Sequence, residues 1–177
     1  MRKAAEVEAT LKKSPMFFWI SPSPVGRLLL VGNFEGLQIL QFQDGAHPLD
    51  IQPAWTKAQE PFLGVLKQLR EYFAGSRTRF QITLNLQGTP FQRHVWKALQ
   101  RIPYGQTVSY GEIARQIESP NASRAVGAAN GKNPVSIIVP CHRVIGGNGQ
   151  LVGYGGGLLI KAALLELEQL ETEKRRS

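Results

Sequence analysis

Cys141 is the only cysteine among 177 residues, and it stands in the run Ile137-Ile138-Val139-Pro140-Cys141-His142-Arg143-Val144-Ile145. A free thiol titrates near ~8.5 and is a weak nucleophile at neutral pH; imidazole and cationic neighbours activate it. His142 and Arg143 bring one group of each kind within two residues of the sulfur. Successive side chains usually point apart, so adjacency alone does not make a reactive pair. Two readings of Cys141 stand together: a nucleophile with a base beside it, or a small apolar filler, the commoner role of a free cysteine. His142 alone is equally at home in a core or in a site. A single cysteine excludes an internal disulfide. His47, His94 and His142 are scattered without ligand spacing, so neither a metal nor a cofactor is expected.

The elements that must position the thiol follow from periodicity. Ser136 to Val139 is apolar and β-branched and predicts a short buried strand, ended by Pro140, which cannot donate a ladder hydrogen bond. Upstream, Ser109-Tyr110-Gly111-Glu112 is a capping box that opens a short helix to about Ile117. Ser119-Pro120 predicts the start of a second helix, running to about Asn130-Gly131. Two short helices with a tight turn make a helix-turn-helix, a unit that binds DNA in some proteins and is only structural in others. In the second helix Ala122, Ser123, Ala125, Gly127, Ala128 and Ala129 are small and Arg124 is the one long side chain. Such a face suits close approach to a narrow groove, or equally tight helix packing. Gly153 to Gly157 is a glycine-rich loop without phosphate-loop spacing, so nucleotide binding is rejected. Leu158 to Glu171 predicts the last helix, with Ile160, Leu164, Leu167 and Leu170 as its stripe and Glu168 beside it; the charged tail beyond is expected to be disordered.

Thr89-Pro90-Phe91-Gln92 opens another capped helix, with Phe91, Val95, Leu99 and Ile102 as its core face. Before it, Met16 to Ile20, Arg27 to Val31, Leu37 to Phe42 and Phe80 to Leu86 predict strands, and Pro61 to Ala74 a helix. The first fifteen residues read as frayed or weakly helical. The fold class is therefore α/β (α+β), in two parts. Residues 1–87 form a small α/β scaffold with a mostly antiparallel sheet and no visible chemistry. Residues 88–177 form a mainly helical part carrying the helix-turn-helix and the cysteine, with Gln87-Gly88 as the junction.

The net charge is +8, from 21 basic and 13 acidic residues. Between Ser119 and Leu165 there is no acidic residue, while Arg124, Lys132, Arg143 and Lys161 are present. A basic stretch of this kind suits a polyanion, or simply marks a basic soluble protein. No apolar run approaches the ~18 residues of a membrane span, and the N-terminus has no secretory pattern. A cytoplasmic, nucleoid-associated or nuclear monomer without membrane contact is expected.

Pro140-Cys141-His142-Arg143-Val144 resembles the active-site motif of the O6-alkylguanine-DNA alkyltransferases, the methylated-DNA–protein-cysteine methyltransferases. Asn133-Pro134 upstream, Gly153-Tyr154-Gly155-Gly156-Gly157-Leu158 with Lys161 downstream, and Arg124-Ala125-Val126-Gly127 extend the resemblance over roughly residues 88–177. It implies DNA repair by direct reversal. The alkyl group of an O6-alkylguanine in double-stranded DNA, and also of O4-alkylthymine, would pass to Cys141 once per molecule, after the base is flipped out through the minor groove. His142 would be the base, Glu168 its orienter and Asn133 the brace. Tyr110 would donate a proton to the departing base and press on the phosphate, while Arg124 would fill the gap in the stack, with Ser109, Ala125 and Gly127 on the DNA face. The carbonyls of Cys141 and Val144 and the Gly155 N–H would read the base beside Tyr154. Many relatives carry serine at the position of Gly155; the backbone donor survives that difference. Some relatives also hold a zinc ion in the first half, for which this chain lacks the residues. A lesion-binding relative without transfer, a cysteine hydrolase and an architectural DNA binder are the competing readings. The first usually lacks the cysteine, and the second needs a distant base and an oxyanion hole that no motif supplies.

Overall fold

The computed structural model describes residues 14–45 and 48–175; His47 and the expectation for the first thirteen residues lie outside them. The architecture is the expected mixture of sheet and helix. Strands β1 (Phe17–Ser21), β2 (Leu28–Asn33), β3 (Gly36–Phe42) and β4 (Thr56–Lys57) form a sheet in the order β3-β2-β1-β4. The β1–β2 and β2–β3 pairs are antiparallel and the short β1–β4 pair is parallel. All six residues of β2 are buried, which explains its unbroken apolar run.

β3 is an edge strand, and its open side is not left to solvent. Leu37 exchanges hydrogen bonds with residues 83 and 85, and Leu40 with Pro134 and Ser136, all at 2.8–2.9 Å. The alternating stretch Phe80 to Leu86 therefore contributes one bridge, Leu37 with Leu84, and not the expected strand. Its alternation is real, but it meets β3 at a single register point.

Helix α1 (Leu63–Phe73) follows a 3-10 turn at Glu60–Phe62 and buries Val65, Leu66, Leu69 and Tyr72. Helix α2 (Pro90–Leu99) starts at a complete capping box: Thr89 Oγ1 accepts from the Gln92 N–H at 3.2 Å, and Gln92 Oε1 from the Thr89 N–H at 2.9 Å. Phe91 departs from the expected stripe and is 36% exposed, whereas Trp96 is buried and donates Nε1–H to the Ala129 carbonyl at 2.9 Å. The larger ring, not the first aromatic, anchors this helix.

Helices α3 (Tyr110–Gln116) and α4 (Ser123–Gly131) make the helix-turn-helix. The second starts three residues later than expected; Ser119-Pro120 forms the turn, with the Ala122 N–H bonded to the Ser119 carbonyl. Helix α5 (Leu158–Lys174) runs past the expected end, and Leu170 is half exposed. Its last turn is held by Arg175, which donates to the Gly75 carbonyl at 2.5 Å. That contact overturns the expected disorder from Glu171 to Arg175. One contiguous apolar core runs from Leu30 and Leu40 through Tyr72 and Leu99 to Val139 and Leu164. No helix of the described residues is long and apolar enough to cross a membrane.

Candidate active site

The predicted strand at Ser136 to Val139 does not form. Val135 makes one bridge to Leu40, and the chain then coils: the Ile138 N–H reaches the Ser136 carbonyl and the Val139 N–H the Val135 carbonyl, with Ile137 at φ +70°. A β-branched residue at positive φ is strained, and full burial of its side chain holds it there. Pro140 ends this coil, and Cys141–Arg143 form one 3-10 turn. Val144–Ile145 (β6) then pair in parallel with Val108–Ser109 (β5), so the strand leaving the cysteine lies beside the N-cap of α3.

Cys141 is 4% exposed. Asn133 Nδ2 lies 3.0 Å from its sulfur and 2.8 Å from the Val139 carbonyl, while Asn133 Oδ1 accepts from the Val135 N–H at 3.1 Å. One amide thus braces the coil and offers the sulfur a donor. Burial pushes the thiol upward, and the Asn133 donor and the charge of Lys161 pull the other way. Tyr110 is pushed up by burial and then by the nearby Cys141, and Tyr154 well up for the same two reasons. The sulfur therefore sits among an amide, two phenols and an ammonium, surroundings that an apolar filler does not need.

His142 is completely buried, with Nε2 at 2.8 Å from Glu168 Oε1. Glu168 is held near pKa 2, because the hydrogen bonds from His142 and Arg143 and the Arg143 charge outweigh its burial. As an ionised acceptor it requires Nε2 to carry the proton, which leaves Nδ1 as the basic nitrogen. Nδ1 has no hydrogen-bond partner among the described residues. Burial lowers the imidazole pKa below its ordinary 6.5, so the ring is neutral at neutral pH. Among the described residues no hydrogen bond joins His142 to Cys141. Imidazole and carboxylate thus form a bonded pair of their own at 2.8 Å, next in sequence to the thiol.

The carboxylate of Glu168 is unusually well supplied. Tyr72 Oη donates to Oε1 at 2.8 Å, Arg143 Nη2 to Oε1 at 2.9 Å and Nε to Oε2 at 2.8 Å, and the Gly105 N–H to Oε2 at 3.0 Å. Arg143 also donates Nη1–H to the Ile102 carbonyl at 2.7 Å. Gly105 sits at φ +73°, where a glycine is favoured, and an added Cβ would collide with Thr172. Lys161, fully buried, donates Nζ–H to the carbonyls of Val144 at 2.6 Å and Val152 at 2.7 Å; it ties β6 to the glycine loop.

The structure gathers Cys141, His142, Glu168, Asn133, Val144 and Tyr154 at one place, with Tyr110 at its edge. The Tyr110 ring lies 3.8 Å from where a Cβ on Gly127 would stand, so this small residue faces the neighbouring helix. Arg124, Ala125 and Ala128 are exposed on the other face of α4. Ser109 is occupied as the N-cap of α3, accepting from the Glu112 N–H. Gly155 is exposed, and among the described residues only Gln41 Oε1 comes within 4 Å of a would-be Cβ.

Four participants escaped the sequence reading as site residues. Arg143 lies inside the motif, and its burial was the missing information. Tyr72 and Gln41 come from the first half, and Gly105 from a turn; no local pattern marks them. Gln41 Nε2 donates to the Asn133 carbonyl at 2.8 Å. Among the described residues no cluster of three or more His, Cys, Asp or Glu could hold a metal ion.

A helix-turn-helix beside a buried thiol, with an imidazole–carboxylate pair next to it, points to the class of nucleic-acid-binding proteins that carry a cysteine nucleophile. Comparison with known proteins gives it a family. Residues 16–86 match the 6-O-methylguanine DNA methyltransferase, ribonuclease-like domain, and residues 90–170 match the DNA binding domain of the same family. A methylated-DNA–protein-cysteine methyltransferase of Methanosarcina acetivorans is 50% identical over 153 residues, 86% of this chain and 98% of the relative. One from Mycobacterium tuberculosis H37Rv is 54% identical over 147 residues, 83% and 88% of the two chains. The crystal structure of Mycobacterium tuberculosis OGT in complex with DNA superposes with a TM-score of 0.82 at 51% identity, covering 88% of this chain and 94% of that one. The chain belongs to the methylated-DNA–protein-cysteine methyltransferase family, whose members are DNA-repair proteins that transfer alkyl groups.

Proposed function

We propose that this protein repairs double-stranded DNA by moving the alkyl group of O6-alkylguanine, and of O4-alkylthymine, onto its own Cys141. A buried sulfur that faces an amide donor at 3.0 Å, with a neutral, carboxylate-held imidazole next to it, carries this reading. The base must leave the stack to reach such a sulfur, at a cost of a few kcal/mol. Helix α4 offers the means: its small exposed residues allow close approach to the minor groove, and Arg124 is long enough to take the vacated place. The Cys141 and Val144 carbonyls and the Gly155 N–H read the everted base. The Val144 carbonyl already accepts from Lys161 and keeps a second lone pair for the exocyclic amine.

In the chemical step His142 Nδ1 takes the thiol proton through a water. The thiolate attacks the alkyl carbon, a sulfur–carbon bond forms, and the bond from that carbon to O6 breaks. Tyr110 gives its hydroxyl proton to the departing base and is reprotonated through solvent. Glu168 stays ionised and stabilises the imidazolium. A thioether has no easy hydrolysis, so each molecule acts once. The protein works as a monomer wherever chromosomal DNA is, with residues 1–87 and 88–177 as two units; the family matches ending at 86 and starting at 90 support that division. Intact mass after incubation with a duplex containing O6-methylguanine tests the reading. One methyl group gained on Cys141, and none in Cys141→Ser, is expected. Binding without mass gain favours a lesion-binding protein instead.

A further inference from the structure

The site is finished by a residue of the first half of the chain. Tyr72, a buried residue one position before the end of α1 and part of no motif, donates its hydroxyl to Glu168 Oε1 at 2.8 Å across 96 residues of sequence. That oxygen also receives Arg143 Nη2–H and the His142 Nε2–H. The Tyr72 ring is fully buried and clamped edge-on by Phe73 and Tyr104 and tilted against Phe80, so the hydroxyl has one direction available. An apolar core does not need this hydroxyl; phenylalanine would fill the same space. We propose that Tyr72 is a positioning residue for alkyl transfer: by sharing Glu168 Oε1 with His142 it sets both the orientation and the basicity of the imidazole. The inference rests on the reading that His142 activates Cys141.

Among the described residues, groups from several elements face His142. Glu168 and Lys161 come from α5, Arg143 from its own turn, Tyr154 from the glycine loop with ring centroids 6.4 Å apart, and Cys141 is its neighbour. Tyr72 and Tyr104 reach it through Glu168. Each donor on Oε1 drains negative charge from the atom that His142 bonds. Removing the Tyr72 donor leaves Oε1 more negative, which favours the imidazolium and raises the His142 pKa.

The test compares wild type with Tyr72→Phe in the full chain. The His142 imidazole is followed by NMR titration, and transfer from an O6-methylguanine duplex by single-turnover rates against pH. Tyr72→Phe should move the imidazole midpoint and the acid limb of the rate profile upward by about half a pH unit. It should slow transfer about tenfold at neutral pH while DNA affinity is kept. In a His142→Ala chain the same change should leave the residual rate unaltered. An unmoved imidazole midpoint overturns the proposal, and so does a rate loss that adds fully to that of His142→Ala, because Tyr72 would then be only a strut. If Tyr72→Phe fails to fold, 3-fluorotyrosine at position 72 keeps ring and hydroxyl but donates more strongly. The midpoint must then move downward, and a fixed midpoint overturns the inference. The NMR readout needs no transfer, so a wild-type chain that never gains a methyl group sinks the proposed function and leaves this test standing.

Discussion

At the scale of single residues the site is a charge-balanced set built round Glu168. Its carboxylate is ionised by Arg143 and held by Tyr72, Gly105 and His142, so its removal strands a buried guanidinium. Stranding one partner of a buried pair typically costs ~3–5 kcal/mol. Glu168→Gln should therefore lower the urea midpoint sharply at pH 7 as well as abolish transfer. The pH dependence has a defined sign. Glu168 falls from an ordinary 4.5 to about 2 in the fold, so its stabilisation is complete above 4.5 and is lost as pH falls toward about 2. His142 is lowered from 6.5, so below 6.5 the unfolded chain takes up the proton first, and stability again falls with pH. Urea midpoints measured from pH 7 to pH 3 should decline steadily, and less steeply in Glu168→Gln. Asn133→Ala removes four side-chain hydrogen bonds at once. It should raise the Cys141 pKa further, as read by the pH dependence of thiol alkylation, and cost ~1–3 kcal/mol of stability for the groups left unsatisfied.

At the scale of elements, α4 separates two uses of small residues. Gly127 faces the Tyr110 ring at ordinary contact distance, whereas Ala125 and Ala128 are exposed with Arg124. Packing explains the first and not the others. Ala128→Glu should thus leave the melting temperature within about a degree or two, as surface changes do, yet weaken duplex binding at least tenfold by placing a carboxylate against phosphate. Arg124→Ala should weaken binding less and flatten the salt dependence, measured by fluorescence anisotropy across a salt series. Gly156 is different again: a Cβ there would stand 2.7 Å from the Phe42 ring, so Gly156→Ala must shift the glycine loop and slow transfer.

At the scale of the whole molecule the first half of the chain is part of the site's construction. β3 pairs through Leu40 with residues 134 and 136, Gln41 holds the Asn133 carbonyl, and Tyr72 holds Glu168. These contacts fix the amide that lies against the sulfur and the carboxylate that holds the imidazole. Gln41→Ala should cost about 1 kcal/mol of stability and reduce the transfer rate through the Asn133 turn. Kinetics and urea unfolding on the same preparation check the two together. One core continuous from Leu30 to Leu164 predicts a single cooperative unfolding transition, with fluorescence and circular dichroism coinciding.

Much of this protein is written in local sequence. The capping boxes at Thr89 and Ser109 mark their helices because each closes within one turn of backbone. The Pro-Cys-His-Arg-Val motif, the small-residue helix with Arg124 and the glycine loop are likewise contiguous, so residue types and spacing are enough to point to a thiol and a DNA face. Other features depend on partners that no local pattern names. Ser136 to Val139 has strand composition but coils: among the described residues its pairing with the sheet is the one bridge at Leu40, and Ile137 stands at positive φ. Glu168 reads as one surface carboxylate among several until Arg143, Tyr72 and Gly105 converge on it. A lone ionisable residue takes its protonation state from what folding buries around it, and those neighbours are tens of residues away in the chain.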